Sequence, residues 1–248
     1  RRDGRTRRLL VETHLVSLEI GDITAELKRS RAAACGEAAA TTTMNLIVFT
    51  ASSEHRGWIV ERACRLSKKH PSRLIVFDAT APPTPIAIEA SAEGGVNCDR
   101  IELGVDGLSA KELSSLGEAL LQPDVPTVLW WTDKLINDSR FAWLCEVADN
   151  VVLDSSGIDT TDRTIAHLTT AVREMTRTSF RDLAWARLAS WREQIACFFD
   201  APPFGDELGR IKRVALECGS AAEPLYLAGW LASRLGWRVR DRELFLGP

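Results

Sequence analysis

The chain has no apolar run approaching the ~18–20 residues that cross a bilayer, and nothing at its start resembles a signal peptide, so membrane insertion and export are not expected and the reading is cytoplasmic. Cysteine is sparse and scattered: Cys35, Cys64, Cys98, Cys145, Cys197 and Cys218 include no C-x-x-C pair, and most lie in apolar runs. That argues against a disulfide scaffold and fits a reducing compartment. The four histidines, His14, His55, His70 and His167, show neither H-x-x-x-H nor H-E-x-x-H spacing, so no metal site is expected. Glycine motifs for phosphate are missing as well. No G-x-G-x-x-G follows a strand-like segment and no G-x-x-x-x-G-K-[ST] occurs. The run E-C-G-S-A-A around Ser220 is not the G-x-S-x-G turn of hydrolases. No catalytic residue and no cofactor is assigned. A net charge of −3 offers no field for a phosphate backbone, which sets nucleic acid aside.

What is present is an ordinary globular composition, 45% hydrophobic and 26% charged over 248 residues, enough for a core without staples. Tryptophan occurs eight times and tyrosine once, and burial tendencies favour core placement for any one tryptophan. NLIVFT (Asn45–Thr50) and RLIVFD (Arg73–Asp78) are continuous apolar runs of the kind found in strands covered on both faces. Between them lies a helical stretch with Trp58, Ile59, Ala63 and Leu66 on one side, stopped by His70-Pro71. A right-handed β-α-β crossover follows. Ile86–Ala90 and Arg100–Val105 alternate and read as edge or half-exposed strands. Ser109 and Glu112 form a capping-box pattern, TVLWW (Thr127–Trp131) reads as a central strand, and NVVLD (Asn150–Asp154) as another. Helices are expected from Asp22, over Phe141–Ala148 and over Ile165–Met175.

Asp182–Asp200 (DLAWARLASWREQIACFFD) reads as one long helix with an apolar arc over half its circumference. Such an arc predicts a helix wedged between two layers, with Trp191 and Arg192 turned inward and Arg187 outward. After it come a strand at Ile211–Glu217, a helix at Leu225–Leu235 closed by Gly236, and a strand beginning at Trp237. The expected fold is therefore α/β, a three-layer Rossmann-like, mostly parallel sheet with helices on both faces, followed by a smaller C-terminal β-α-β unit. The parts run as tail, helix and linker over 1–43, Rossmann-like domain over 44–178, and long helix plus terminal unit over 179–248. The chain begins without Met, which fits a fragment of a longer protein.

Polar groups gather just past three strand ends: Ser52-Ser53, Asp154-Ser155-Ser156-Gly157 and Gly219-Ser220, with Asp133-Lys134 after the tryptophan pair. Serines there cap helices. The alternative is that Ser52, Ser53, Ser155, Ser156 and Ser220 hold an anion in the crevice at the strand ends, as in a sugar-phosphate or nucleotide-binding enzyme or sensor. Arg187, Trp185, Trp131 and Asp133 are the partner-facing candidates, large aromatics and guanidinium groups being common at interfaces.

D-L-A-W-x-R-L-x-x-W-R-E at Asp182–Glu193 resembles the signature of the glucose-6-phosphate dehydrogenase assembly protein family, OpcA. NLIVF (Asn45–Phe49), HPSRLIVFD (His70–Asp78), QPDVPTVLWW (Gln122–Trp131), VVLDSS (Val151–Ser156) and LYLAGWLASRLGW (Leu225–Trp237) resemble further segments of that family, in its order. The resemblance implies a non-enzymatic role in assembling or activating glucose-6-phosphate dehydrogenase, the entry enzyme of the oxidative pentose phosphate route. It supplies no catalytic residue. Some members are linked to thioredoxin through cysteines in a longer C-terminal region; no cysteine here matches those, so redox control is not carried over.

Overall fold

The computed structural model describes residues 20–34, 42–93, 96–134, 139–157, 162–202, 204–211, 213–217, 219 and 222–237. Seven strands form one sheet in the order β3-β4-β2-β1-β5-β6-β7. These are β1 (Met44–Thr50), β2 (Ser72–Asp78), β3 (Pro85–Glu93), β4 (Val96–Gly104), β5 (Thr127–Trp131), β6 (Asn150–Leu153) and β7 (Ser179–Asp182). Only β3 runs antiparallel to its neighbour, β4. The central strands are the β-branched runs, and Ile47, Val48, Phe49, Ile75, Val76 and Phe77 are fully buried. Asn45 fixes the start of β1. Its Nδ2 donates to the Gln122 carbonyl (3.0 Å) and to Thr127 Oγ1 (3.2 Å), and its Oδ1 accepts from the Gln122 amide (2.8 Å). One buried amide thus ties β1 to the turn that launches β5.

Helices cover the two faces unequally. On one face lie α1 (20–34), α3 (Ala110–Leu120), α4 (Ser139–Glu146) and α5 (Asp162–Glu174). They pack Ile23, Leu27, Leu113, Leu116, Phe141 and Leu144 onto Ile47, Phe49, Ile75, Phe77, Leu129 and Trp131. The other face carries α2 (Arg56–Lys69), whose Ile59, Val60 and Ala63 sit on Leu46, Val48, Leu74 and Val76. The capping box at Ser109 is formed in full and starts α3. Buried carboxylates on β2 and β4 meet arginines: Arg56 reaches Asp78 and Glu102 (both 2.6 Å), and Asp99 receives Arg31 and Arg73. This is the three-layer, Rossmann-like α/β arrangement the sequence predicts.

Four expectations need correction. The residues from Asp182 to Asp200 are not one helix. Asp182 ends β7 and caps α6 (Leu183–Arg187), and the chain breaks at Leu188 before α7 (Ala189–Asp200). No residue of α7 is buried, Trp191 is 61% exposed, and Phe198 stacks on Phe204 at 4.4 Å on the surface. The half-circumference arc came from adding the faces of two short helices. Next, β4 is an inner strand; β3 alone is the edge on that side. The helix expected from Asp22 is already helical at Ile20, so Asp22 lies inside α1. Finally, Ile211–Glu217 forms no strand among its described residues, and β7 is the last strand of the sheet on that side. The strand expected beyond Trp237 lies outside the described residues. Helix α8 (Ala222–Leu235) is present and ends at Gly236 with φ +66°, as its sequence requires.

A cleft at the strand-order switch

From β1 the chain crosses through α2 to β2 on one side, whereas β5 and β6 build outward on the other side of β1. The loops after β1 and β5 therefore diverge, and open sheets form their ligand crevice at that point. Here it is a cleft of about 590 Å³. Its walls are Ser52, Ser53 and His55 after β1, Thr132, Asp133 and Lys134 after β5, and Asp154 and Ser156 after β6. Thr132 closes the floor, its amide and its hydroxyl both donating to the Phe49 carbonyl (3.1 and 2.8 Å).

Two of the three strand-end serine groups do meet in this cleft, together with Asp133. The hydroxyls of Ser52 and Ser156 are already engaged. Ser52 Oγ lies 2.9 Å from His55 Nδ1 and accepts the His55 amide (3.3 Å), which shapes the turn into α2. Ser156 Oγ donates to Asp154 (2.6 Å) and accepts from Arg187 (2.7 Å). Ser155 is buried beneath the turn. Ser53 is exposed on the rim. Ser220 lies outside the described residues. Glu54, Asp133 and Asp154 line the cleft against one lysine, Lys134, and Asp133 Oδ1 takes the Lys134 amide (2.6 Å). An acid-rich wall with Ser52 and Ser156 committed to local bonds is a poor seat for a phosphate.

Arg187 is the main surprise. It is exposed, as its outward position on the helix predicts, and it also forks onto Asp154, with two contacts of 2.8 Å, and reaches Glu223 at 3.4 Å. The guanidinium holds the Asp154 carboxyl below the usual aspartate range, with help from Ser156 against the opposing effect of burial, and Asp154 raises Arg187 in turn. Next to it, Asp182 is shared by three elements. Its Oδ1 accepts the Ser155 and Ala184 amides (3.2 and 2.9 Å), and its Oδ2 accepts the hydroxyl of Tyr226 on α8 (2.5 Å). Burial, then the bond to Asp182, push Tyr226 up to about 12. Pairs 31 to 44 residues apart leave no local periodicity, so sequence reading missed them; the lone tyrosine was the one available hint.

The other partner-facing candidates separate. Trp131 is 1% exposed, stacked on Phe49 at 4.2 Å and edge-on to Phe141 at 5.0 Å, so it is a core residue with almost no surface to offer a partner. Trp185 is 38% exposed, lies edge-on to Tyr226 and carries the Arg192 guanidinium 3.5 Å above its ring. Arg192 also donates to the Trp185 carbonyl (2.8 Å), so it turns back along its own helix pair rather than into a core. The preference for buried tryptophan fails here: Trp58, Trp143, Trp185, Trp191 and Trp237 are all exposed. Among the described residues no helix is long and apolar enough to cross a membrane, and no group of three His, Cys, Asp or Glu is placed to hold a metal.

Fold and site together define a class: a Rossmann-like α/β protein whose switch-point cleft is polar and acid-rich. Family comparison carries this further. The glucose-6-phosphate dehydrogenase subunit N-terminal domain of the OpcA assembly family matches residues 63–170, and the corresponding C-terminal domain matches residues 178–244. The chain belongs to the OpcA glucose-6-phosphate dehydrogenase assembly protein family. Relatives that carry the name OpcA, as proteins of the OxPP cycle, include one from Nostoc punctiforme, 29% identical over 71% of this chain and 40% of its own length. One from Synechocystis is 29% identical over 56% of this chain and 30% of its own length. A third, from Synechococcus elongatus, is 26% identical over 70% of this chain and 41% of its own length. The match thus covers well under half of each of these relatives.

Proposed function

We propose that this chain is a non-enzymatic assembly or activation factor that acts by binding glucose-6-phosphate dehydrogenase in the cytoplasm. The observation that carries the proposal is family membership over both domains. Two features of the molecule support it. The cleft sets Glu54 and Asp133 beside its one lysine, Asp154 is already paired with Arg187, and the Ser52 and Ser156 hydroxyls are bonded locally, which disfavours a phosphorylated sugar or a nucleotide. Trp58, 54% exposed, provides an apolar anchor of the kind a protein partner uses.

The rival reading, an enzyme or sensor for a sugar phosphate or nucleotide, draws on the position and size of the cleft alone. Calorimetric titration of the isolated protein with glucose 6-phosphate and with NADP separates the two. The assembly reading expects no binding tighter than about millimolar, since no charged grip is on offer. Micromolar binding, or turnover of glucose 6-phosphate by the protein alone, would overturn it.

A further inference from the structure

Among the described residues, the sheet face beneath α2 is covered on one side only. Register places Val128 and Trp130 of β5 and Val152 of β6 on the same face as Leu46 and Val48, and all three are half-buried. With Met44, Leu66 and Leu183 they form an apolar groove of about 230 Å³ alongside α2. A second hollow of about 590 Å³ continues it past Trp130 to Trp58, Arg62, Arg65 and Lys69. Leu66, 45% exposed, and Trp130 line both hollows, and Trp58, 54% exposed, lines the second.

The groove carries a charge signature. The chain is net −3, yet α2 holds Arg56, Arg62, Arg65, Lys68 and Lys69 against one acid, Glu61. Arg56 is turned inward to Asp78 and Glu102. Arg62, Arg65 and Lys69 are exposed along the groove, with Arg62 over the Trp58 ring at 5.3 Å and Arg65 only 3.8 Å from the exposed Glu61. An apolar floor desolvates an inserted side chain, and a basic rim selects what flanks it. The concave floor suits a convex ridge of side chains better than a flat bilayer.

We propose that this groove docks a protein segment bearing an apolar ridge flanked by carboxylates. It rests on the functional reading above, in which that segment belongs to the dehydrogenase. Trp58, Leu66 and Trp130 receive the ridge, while Arg62, Arg65 and Lys69 meet the acids.

The test measures affinity of the wild type, of the double variant Arg62→Glu/Arg65→Glu and of Trp58→Ser for the cognate dehydrogenase, at two salt concentrations. Trp191→Ser, an equally exposed tryptophan on α7, is the positional control. Every altered side chain is exposed, so the melting curves should coincide with wild type. The groove variants are expected to lose roughly tenfold or more in affinity, as hot-spot and rim-charge changes do. The charge reversal should also remove the weakening of binding by salt. Trp191→Ser should bind as wild type. If wild type binds and the groove variants bind equally well, the groove proposal is overturned and the functional reading stands. If wild type neither binds nor alters the dehydrogenase, the functional reading fails and takes the groove proposal with it. If the groove variants instead dissolve a self-associated form while binding the dehydrogenase unchanged, the groove serves a second copy of this chain, which also overturns the proposal.

Discussion

At the scale of single residues, Arg187 is tied into more of the structure, and Trp191 into less, than their helical positions suggest. Arg187 binds two carboxylates and a hydroxyl, whereas Trp191 is 61% exposed. Arg187→Ala should therefore cost about 1–2 kcal/mol, more than the ~0–1 of an isolated surface pair but discounted because the side chain is half-exposed. Trp191→Ala should stay within about 0.5 kcal/mol. Paired thermal melts check the order. The pH dependence follows from Asp154, whose folded pKa is depressed by Arg187. Its contribution is present above the unfolded carboxylate value and lost as pH falls through the lower folded one. The stability gap between wild type and Arg187→Ala should thus be constant near neutrality and shrink in acid. Gly104 is a second single-residue case. A Cβ there would lie 1.9 Å from the Pro82 carbonyl oxygen, so Gly104→Ala must displace the backbone turn beside β4. A loss of about 1–3 kcal/mol or more by denaturant titration is expected.

At the scale of elements, strands were far more legible than connections. NLIVFT, RLIVFD and TVLWW became β1, β2 and β5 because long β-branched runs have few other ways to be buried. Capping chemistry was legible too, as at Ser109 and Gly236. The break at Leu188 was not, since no proline or glycine marks it and the apolar arc runs through it unbroken. Nor was the docking of α8, which depends on Tyr226 reaching Asp182 across 44 residues. Tyr226→Phe should cost about 1–2 kcal/mol by removing that bond to a carboxylate. The folded pKa of Tyr226 is raised to about 12, so its contribution is full below the unfolded value near ~10 and fades above it. Wild type and variant should therefore converge in stability between those two values. Trp131→Ala, by contrast, empties the stack between Phe49 and Phe141 and should cost about 3–5 kcal/mol at any pH.

For the whole molecule, the sheet order places the cleft, and its side chains give it little with which to hold a small anion. Two of the strand-end clusters singled out in the sequence do converge there, yet as turn and cap residues. The apolar groove was invisible in sequence, because Trp130 and Val152 read as buried strand residues until the partial coverage of that face by α2 is seen. Its surface and family both direct attention to a protein partner. The most direct measurement titrates the cognate dehydrogenase with this chain while following sedimentation and NADP-dependent activity in the same samples. A larger dehydrogenase-containing species, rising with activity and saturating at one ratio, is the predicted result; unchanged mass and activity at saturating chain would contradict the account.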